Sequence, residues 1–108
     1  MLRVRWSDRT RADFLRIASF WLEREPELLS AVISTIRERV TWIADGRHLL
    51  GAPIGDGPTS YRWYLEREHG YKIYYRIEGN PPDTVAVIAV RHGRQRPLKP
   101  STLRKHAR

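Results

Sequence analysis

The chain has no cysteine. Disulfide scaffolds and thiolate metal sites are therefore excluded, and a reducing compartment fits. No apolar run approaches the roughly 20 residues that a membrane-spanning helix needs. The opening MLRVRWSDR is charged where a secretory signal requires an apolar stretch, and the expectation is a cytoplasmic protein with no membrane role. The four histidines, His48, His69, His92 and His106, show no metal-ligand pairing in their spacing. No Ser-His-Asp order or nucleophile elbow stands out, and the carboxylates are scattered. No metal and no cofactor is expected.

Acidic residues are also absent from one end. Of the 20 basic and 12 acidic side chains, residues 1–90 hold 13 basic and all 12 acidic ones, a net of +1. Residues 91–108 hold seven basic and none acidic, a net of +7. A nearly neutral body with a basic end favours nucleic acid or an acidic protein as partner. With 108 residues, one domain of modest core is the natural size.

The elements follow from periodicity. Leu2, Val4 and Trp6 alternate with Arg3 and Arg5, as in a half-buried strand. Thr10 with Asp13 three positions on resembles a capping box. Phe14, Ile17, Ala18, Trp21 and Leu22 then give a helix one apolar face. Pro26 suits the first turn of a second helix, whose stripe is Leu29, Val32, Ile33, Ile36, Val40 and Ile43, with Gly46 as its stop. The short link makes a helical hairpin.

Residues 46–60, with four glycines and two prolines, read as a plain connection. Its GAPIGDG piece lacks the Gly-Lys-Ser/Thr ending of a phosphate loop. From Tyr61 the period becomes two. Tyr61, Trp63 and Leu65 alternate with Arg62, Tyr64 and Glu66; Tyr71, Ile73, Tyr75 and Ile77 alternate with Lys72, Tyr74 and Arg76. Val85 to Val90 is apolar on both faces and predicts a central strand. After Pro97 no packing pattern is visible, so residues 98–108 are expected to be a basic tail, extended or ordered only by a partner, on a domain spanning 1–97. The sum is an α+β domain: an N-terminal strand, an α-helical hairpin, then a three-stranded antiparallel meander in one sheet.

The chemistry on offer is basic and aromatic. Arg62, Lys72 and Arg76 share an alternation class with Tyr64 and Tyr74, and Arg91, His92, Arg94 and Arg96 follow the last strand. Arginine forks bind phosphate or carboxylate in bidentate fashion, and aromatic faces stack bases. Taken singly, Arg62, Lys72 and Arg76 read as solvent-facing sheet residues, and Tyr71 and Tyr75 as core. Four basic or titratable residues in six positions at the strand end point to function. A non-enzymatic nucleic-acid-binding module is one reading that composition allows.

The element order, the GYKIYYRI strand, the ADFLRIASFW helix and an apolar last strand running into RHGRQR together resemble the RelE/ParE superfamily of bacterial type II toxin–antitoxin toxins, over roughly residues 2–97. The resemblance implies growth arrest by one of two activities. RelE-like members are ribosome-dependent mRNA endonucleases using sheet Lys and Arg residues and a C-terminal Tyr or His; ParE-like members poison DNA gyrase. On the first pattern Arg62, Lys72, Arg76 and Arg94 would contact phosphate and His92 or His106 would serve as acid or base, since no tyrosine follows Tyr75. HGRQ after the last strand is closer to the ParE side. The resemblance thus implies a gyrase-inhibiting toxin contacting its target through Arg91, His92, Arg94 and Arg96. It further implies a cognate antitoxin, expected to be acidic and to fold on binding across the hairpin and the sheet edge.

Overall fold

A computed structural model describes residues 1–55 and 61–107. The chain forms β1 (Arg3–Trp6), α1 (Asp8–Arg24), a 3-10 turn at Pro26–Leu28, α2 (Leu29–Ala44), β2 (Ala52–Pro53), β3 (Tyr61–Glu66), β4 (Tyr71–Glu78), β5 (Thr84–His92) and α3 (Pro100–Lys105). The strands make one sheet in the order β1-β5-β4-β3-β2. β1 runs parallel to β5, and every other pair is antiparallel. The expected architecture is present, with one strand added. Ala52 and Pro53 pair with Trp63 and Arg62 from within the segment read as a plain connection. The last two residues of GAPIGDG lie outside the described residues.

The helical hairpin covers one face of the sheet. Val32, Ile36, Val40 and Ile43 of α2 and Ile17 of α1 are buried against Ile73, Tyr75, Val85, Val87 and Val90. Fully burying a branched aliphatic side chain contributes roughly 1.5–3 kcal/mol. The α2 stripe alone is thus comparable to the net stability of a small domain, about 5–15 kcal/mol.

α1 begins earlier than its spacing suggested. Ser7 is the N-cap and accepts the Thr10 N–H at 3.1 Å. Thr10 is instead buried inside the helix, donating its hydroxyl to the Val87 carbonyl at 2.9 Å. Asp13 is likewise buried. The alternative cap wins because Ser7 leaves β1 in extended backbone (φ −69, ψ 161), the conformation an N-cap needs.

A β-bulge sets which side chains face which way. Tyr75 opposes Val87 and Tyr74 opposes Ala89, so Ile88 is the extra residue. Ile88 and Ala89 both turn to the face away from the hairpin. Strict alternation from Val85 and Val87 would have turned Arg91 toward the hairpin. The extra residue places Val90 there instead and brings Arg91 opposite Lys72 on the reverse face.

The C-terminal residues correct the expectation of an extended tail. Pro100–Lys105 is helical, and Leu103 and Ala107 are buried against Tyr74, Ile88 and Ala89. The Tyr74 hydroxyl accepts the Leu98 N–H at 3.2 Å, and Arg5 Nη2 donates to the Ala107 carbonyl at 2.8 Å. Two apolar residues four apart were too sparse a pattern to read as a helix. The bulge supplies the apolar surface that orders them.

Candidate macromolecule-binding site at the end of the last strand

β5 leaves the sheet into a tight, internally bonded turn. The His92 N–H donates to Gln95 Oε1 at 2.9 Å, the Gln95 N–H to the His92 carbonyl at 3.0 Å, and the Arg94 N–H to His92 Nδ1 at 3.2 Å. The Gly93 N–H reaches the Gly70 carbonyl at 2.7 Å, tying this turn to the β3–β4 turn. Gly70 has φ +82, and a Cβ there would lie 3.2 Å from His92 Nε2. Glycine is required by the backbone conformation and by the closeness of the imidazole.

His92 faces the hairpin. Its ring meets Tyr71 edge-on at 5.6 Å, and the Tyr71 hydroxyl accepts the Trp21 indole N–H at 2.9 Å. Burial raises the Tyr71 pKa above its ordinary 10.0, outweighing the opposite effect of the Trp21 hydrogen bond. Arg94 and Arg96 are exposed, and neither forms an ion pair among the described residues. Arg91, His92, Arg94 and Arg96 thus occupy one end of the sheet, but on different sides of it. Arg91 flanks the reverse face, His92 the hairpin face, and the other two stand on the turn.

The remaining basic candidates do not converge. Arg62 is opposite Tyr75 and so belongs to the hairpin face, whereas Lys72 and Arg76 belong to the reverse face. The four-residue link between β3 and β4 sets this register, and a one-residue difference in register inverts every side chain. Arg62 Nη1 donates to the Gly51 and Leu49 carbonyls at 2.6 and 3.2 Å. Arg76 is ion-paired with Glu78, and the Lys72 ammonium sits 4.4 Å over the Trp63 ring. Because His92 Nδ1 accepts an N–H, its neutral tautomer carries hydrogen on Nε2, leaving no free lone pair for base catalysis.

Between α1 and the end of β5 lies an open groove of about 740 Å³, lined in part by Arg9, Asp13, Arg16, Tyr71 and His92, and Arg91 also borders it although its register turns it to the reverse face. Asp13, 4% exposed, organises it. Its Oδ2 accepts the Val90 N–H at 2.9 Å, and Oδ1 accepts Arg9 and Arg16 at 3.2 and 2.6 Å. Its role was hidden because three residues past Thr10 it mimics a capping acid. A donor set of Glu66, Glu68 and His69 lies within 4.8 Å mutually. There, the Glu66 carboxylate accepts the N–H groups of Glu68 and His69 and so closes their turn.

A family model described as the ParE toxin of the type II toxin–antitoxin system parDE matches residues 4–97, nearly the whole sheet and hairpin. The chain belongs to the ParE toxin family. Among solved structures, this ParE-family chain is similar to one in the chromosomal ParDE toxin–antitoxin system of P. aeruginosa. The two are 16% identical with a TM-score of 0.68, covering 85% of this chain and 96% of that one. It is also similar to a chain in the RelBE2 toxin–antitoxin complex of Mycobacterium tuberculosis, 21% identical with a TM-score of 0.53, over 84% and 96% of the two chains. At such identities these two show the shared fold. A search of curated proteins finds no match. The ParE match ends at Pro97, so α3 lies beyond it. No helix among the described residues is long and apolar enough to cross a membrane.

Proposed function

We propose that this ParE-family toxin arrests growth by inhibiting DNA gyrase, with Arg91, His92, Arg94 and Arg96 contacting the target. The observation that carries the reading is the bonded His92–Gln95 turn, which presents Arg94 and Arg96 on a stiff support, without an ion pair among the described residues. A backbone already held in place leaves less to order when these arginines meet a carboxylate or phosphate, so more of each contact remains as affinity.

The mRNA endonuclease reading has weaker geometry. Arg62 is on the opposite face from Lys72 and Arg76, Arg76 is neutralised by Glu78, and His92 Nδ1 is engaged. A cognate antitoxin would lie over the hairpin. Leu15, Phe20 and Leu22 are exposed there. A second groove of about 300 Å³ is formed by Trp6, Phe14 and Ile33, with Arg11 and Arg37 at its sides. Apolar floor and basic walls suit an acidic amphipathic segment that folds as it binds.

A supercoiling assay with purified gyrase tests the proposal. Micromolar toxin should inhibit it, and primer extension on ribosome-bound mRNA should show no new 5′ ends. Unimpaired supercoiling, or fresh cleavage of the mRNA, would overturn it.

A further inference from the structure

Charge is divided between the two faces of the sheet. Seven of the 12 acidic residues lie between Asp8 and Asp45, on the hairpin side of the fold. The strand registers place Arg3, Arg5, Lys72, Arg76 and Arg91 on the reverse face. Among the described strand residues turned that way, the one carboxylate is Glu78, shared by Arg5 and Arg76. α3 is packed on this face and adds the exposed Arg104 and Lys105. Among the described residues, Arg3, Lys72, Arg91, Arg104 and Lys105 make no ion pair.

We infer that the reverse face, with α3, is a phosphate-binding surface for duplex DNA. Two observations select this partner. A stable protein interface needs an apolar centre. Here the apolar centre, Tyr74, Ile88 and Ala89, is already covered by Leu103 and Ala107 of the same chain. The same face carries Arg3, Lys72, Arg91, Arg104 and Lys105, all at least partly accessible, and protein–DNA interfaces are more polar and more positive than protein–protein ones. Single strands, in turn, are held by aromatic rings on which bases stack. On this face Lys72 lies over Trp63 and Arg76 over Tyr61, at 4.4 and 5.6 Å, and Tyr74 is buried. A duplex asks only for cations against its backbone, without base readout.

The surface is separate from the gyrase-contact residues except at Arg91, and α3 lies beyond the family match. The inference does not rest on the gyrase reading. A toxin acting on a DNA-bound enzyme would gain local concentration from such a contact.

Fluorescence anisotropy with a labelled 24-base-pair duplex of arbitrary sequence tests it, using the full chain. Binding should be measurable at 50 mM salt, with an affinity falling by about 0.9 log units per log unit of salt for each phosphate neutralised. Replacing Arg3, Arg104 and Lys105 together by Gln leaves Arg91, His92, Arg94 and Arg96 untouched. It should weaken binding at least tenfold and flatten the salt slope. Arg11→Gln, Arg24→Gln and Arg37→Gln together, the same charge change on the hairpin, should change it less than threefold. All six positions are exposed, and circular dichroism checks that both variants fold. No binding at 50 mM salt, equal losses in the two triple variants, or tighter binding to single-stranded RNA of the same length would overturn the inference.

Discussion

Asp13 and Val90 are 77 positions apart, yet one oxygen of the Asp13 carboxylate accepts the Val90 N–H at 2.9 Å. β1 pairs with β5 only as far as Val87. Beyond that point α1 takes over the strand's edge, and Asp13 supplies the hydrogen bond that a neighbouring strand would have made. The other oxygen draws Arg9 and Arg16 to the groove wall. Asp13→Ala should leave a buried N–H unpaired, at a cost of about 2–4 kcal/mol in urea unfolding. Asp13→Asn keeps an acceptor and should cost clearly less. Equal losses in the two variants would show that the carboxylate's charge, and not the bond to β5, matters.

Tyr75 joins the sheet to the loop before β2. Its hydroxyl donates to the His48 carbonyl at 2.8 Å and accepts the Gly51 N–H at 3.0 Å. Burial raises its pKa above the ordinary 10.0, against the lowering effects of the Gly51 hydrogen bond and the Arg62 charge. Tyr75→Phe should cost roughly 1–3 kcal/mol through the orphaned groups. Gly51→Ala should be at least as damaging, because a Cβ there would sit 2.4 Å from the Tyr75 hydroxyl and 2.9 Å from the Trp63 carbonyl. Chemical denaturation measures both.

Strict periodicity carried most of the fold. The α2 stripe, the double-sided apolar run of β5 and the core roles of Tyr71 and Tyr75 were legible because burial repeats at 3.6 or 2 residues. Two decisive features break periodicity. The bulge at Ile88 has no signature in a uniformly apolar run, and it alone decides that His92, and not Arg91, faces the hairpin. The register of β3 against β4 separates Arg62 from Lys72, and it is a property of the pairing, not of either strand alone. The basic cluster was visible as composition; its rigidity was not, because it depends on Gln95 and His92 bonding to the turn's own backbone.

Arg94 and Arg96 stand exposed and unpaired among the described residues, so replacing both by Gln should leave stability within about 0.5 kcal/mol. The same variant should lose toxicity on induction in cells. Gln95→Ala should weaken toxicity as well, since it removes the acceptor for the His92 N–H while keeping every charge. Full lethality of Gln95→Ala would mean the turn's stiffness is irrelevant to target contact.

Glu78 gives the fold an acid limit. Its partial burial would by itself raise the carboxyl pKa, but hydrogen bonds and charges from Arg5 and Arg76 outweigh this, and the net shift is downward from 4.5. A depressed folded-state value means the protonated form favours the unfolded chain. The contribution is therefore complete above pH 4.5 and lost as pH falls through the lower folded-state value. Arg5 also holds the Ala107 carbonyl, so this charge is coupled to the end of α3. Glu78→Gln should lower stability at pH 7 and remove part of the acid sensitivity below 4.5, seen as a flatter plot of Tm against pH.

α3 offers the sharpest contrast between a packed element and a free tail. Leu103 is 1% exposed and sits over Ile88 and Ala89. Leu103→Ala should cost about 2–4 kcal/mol, the range for removing a buried Leu side chain. A chain ending at Pro97 should lose at least as much, because Tyr74, Ile88 and Ala89 would then face water. It should bind a hydrophobic dye that the full chain excludes. A free tail would give no change in either measurement, so unaltered unfolding and dye binding in the shortened chain would remove the packing of α3 as a source of stability.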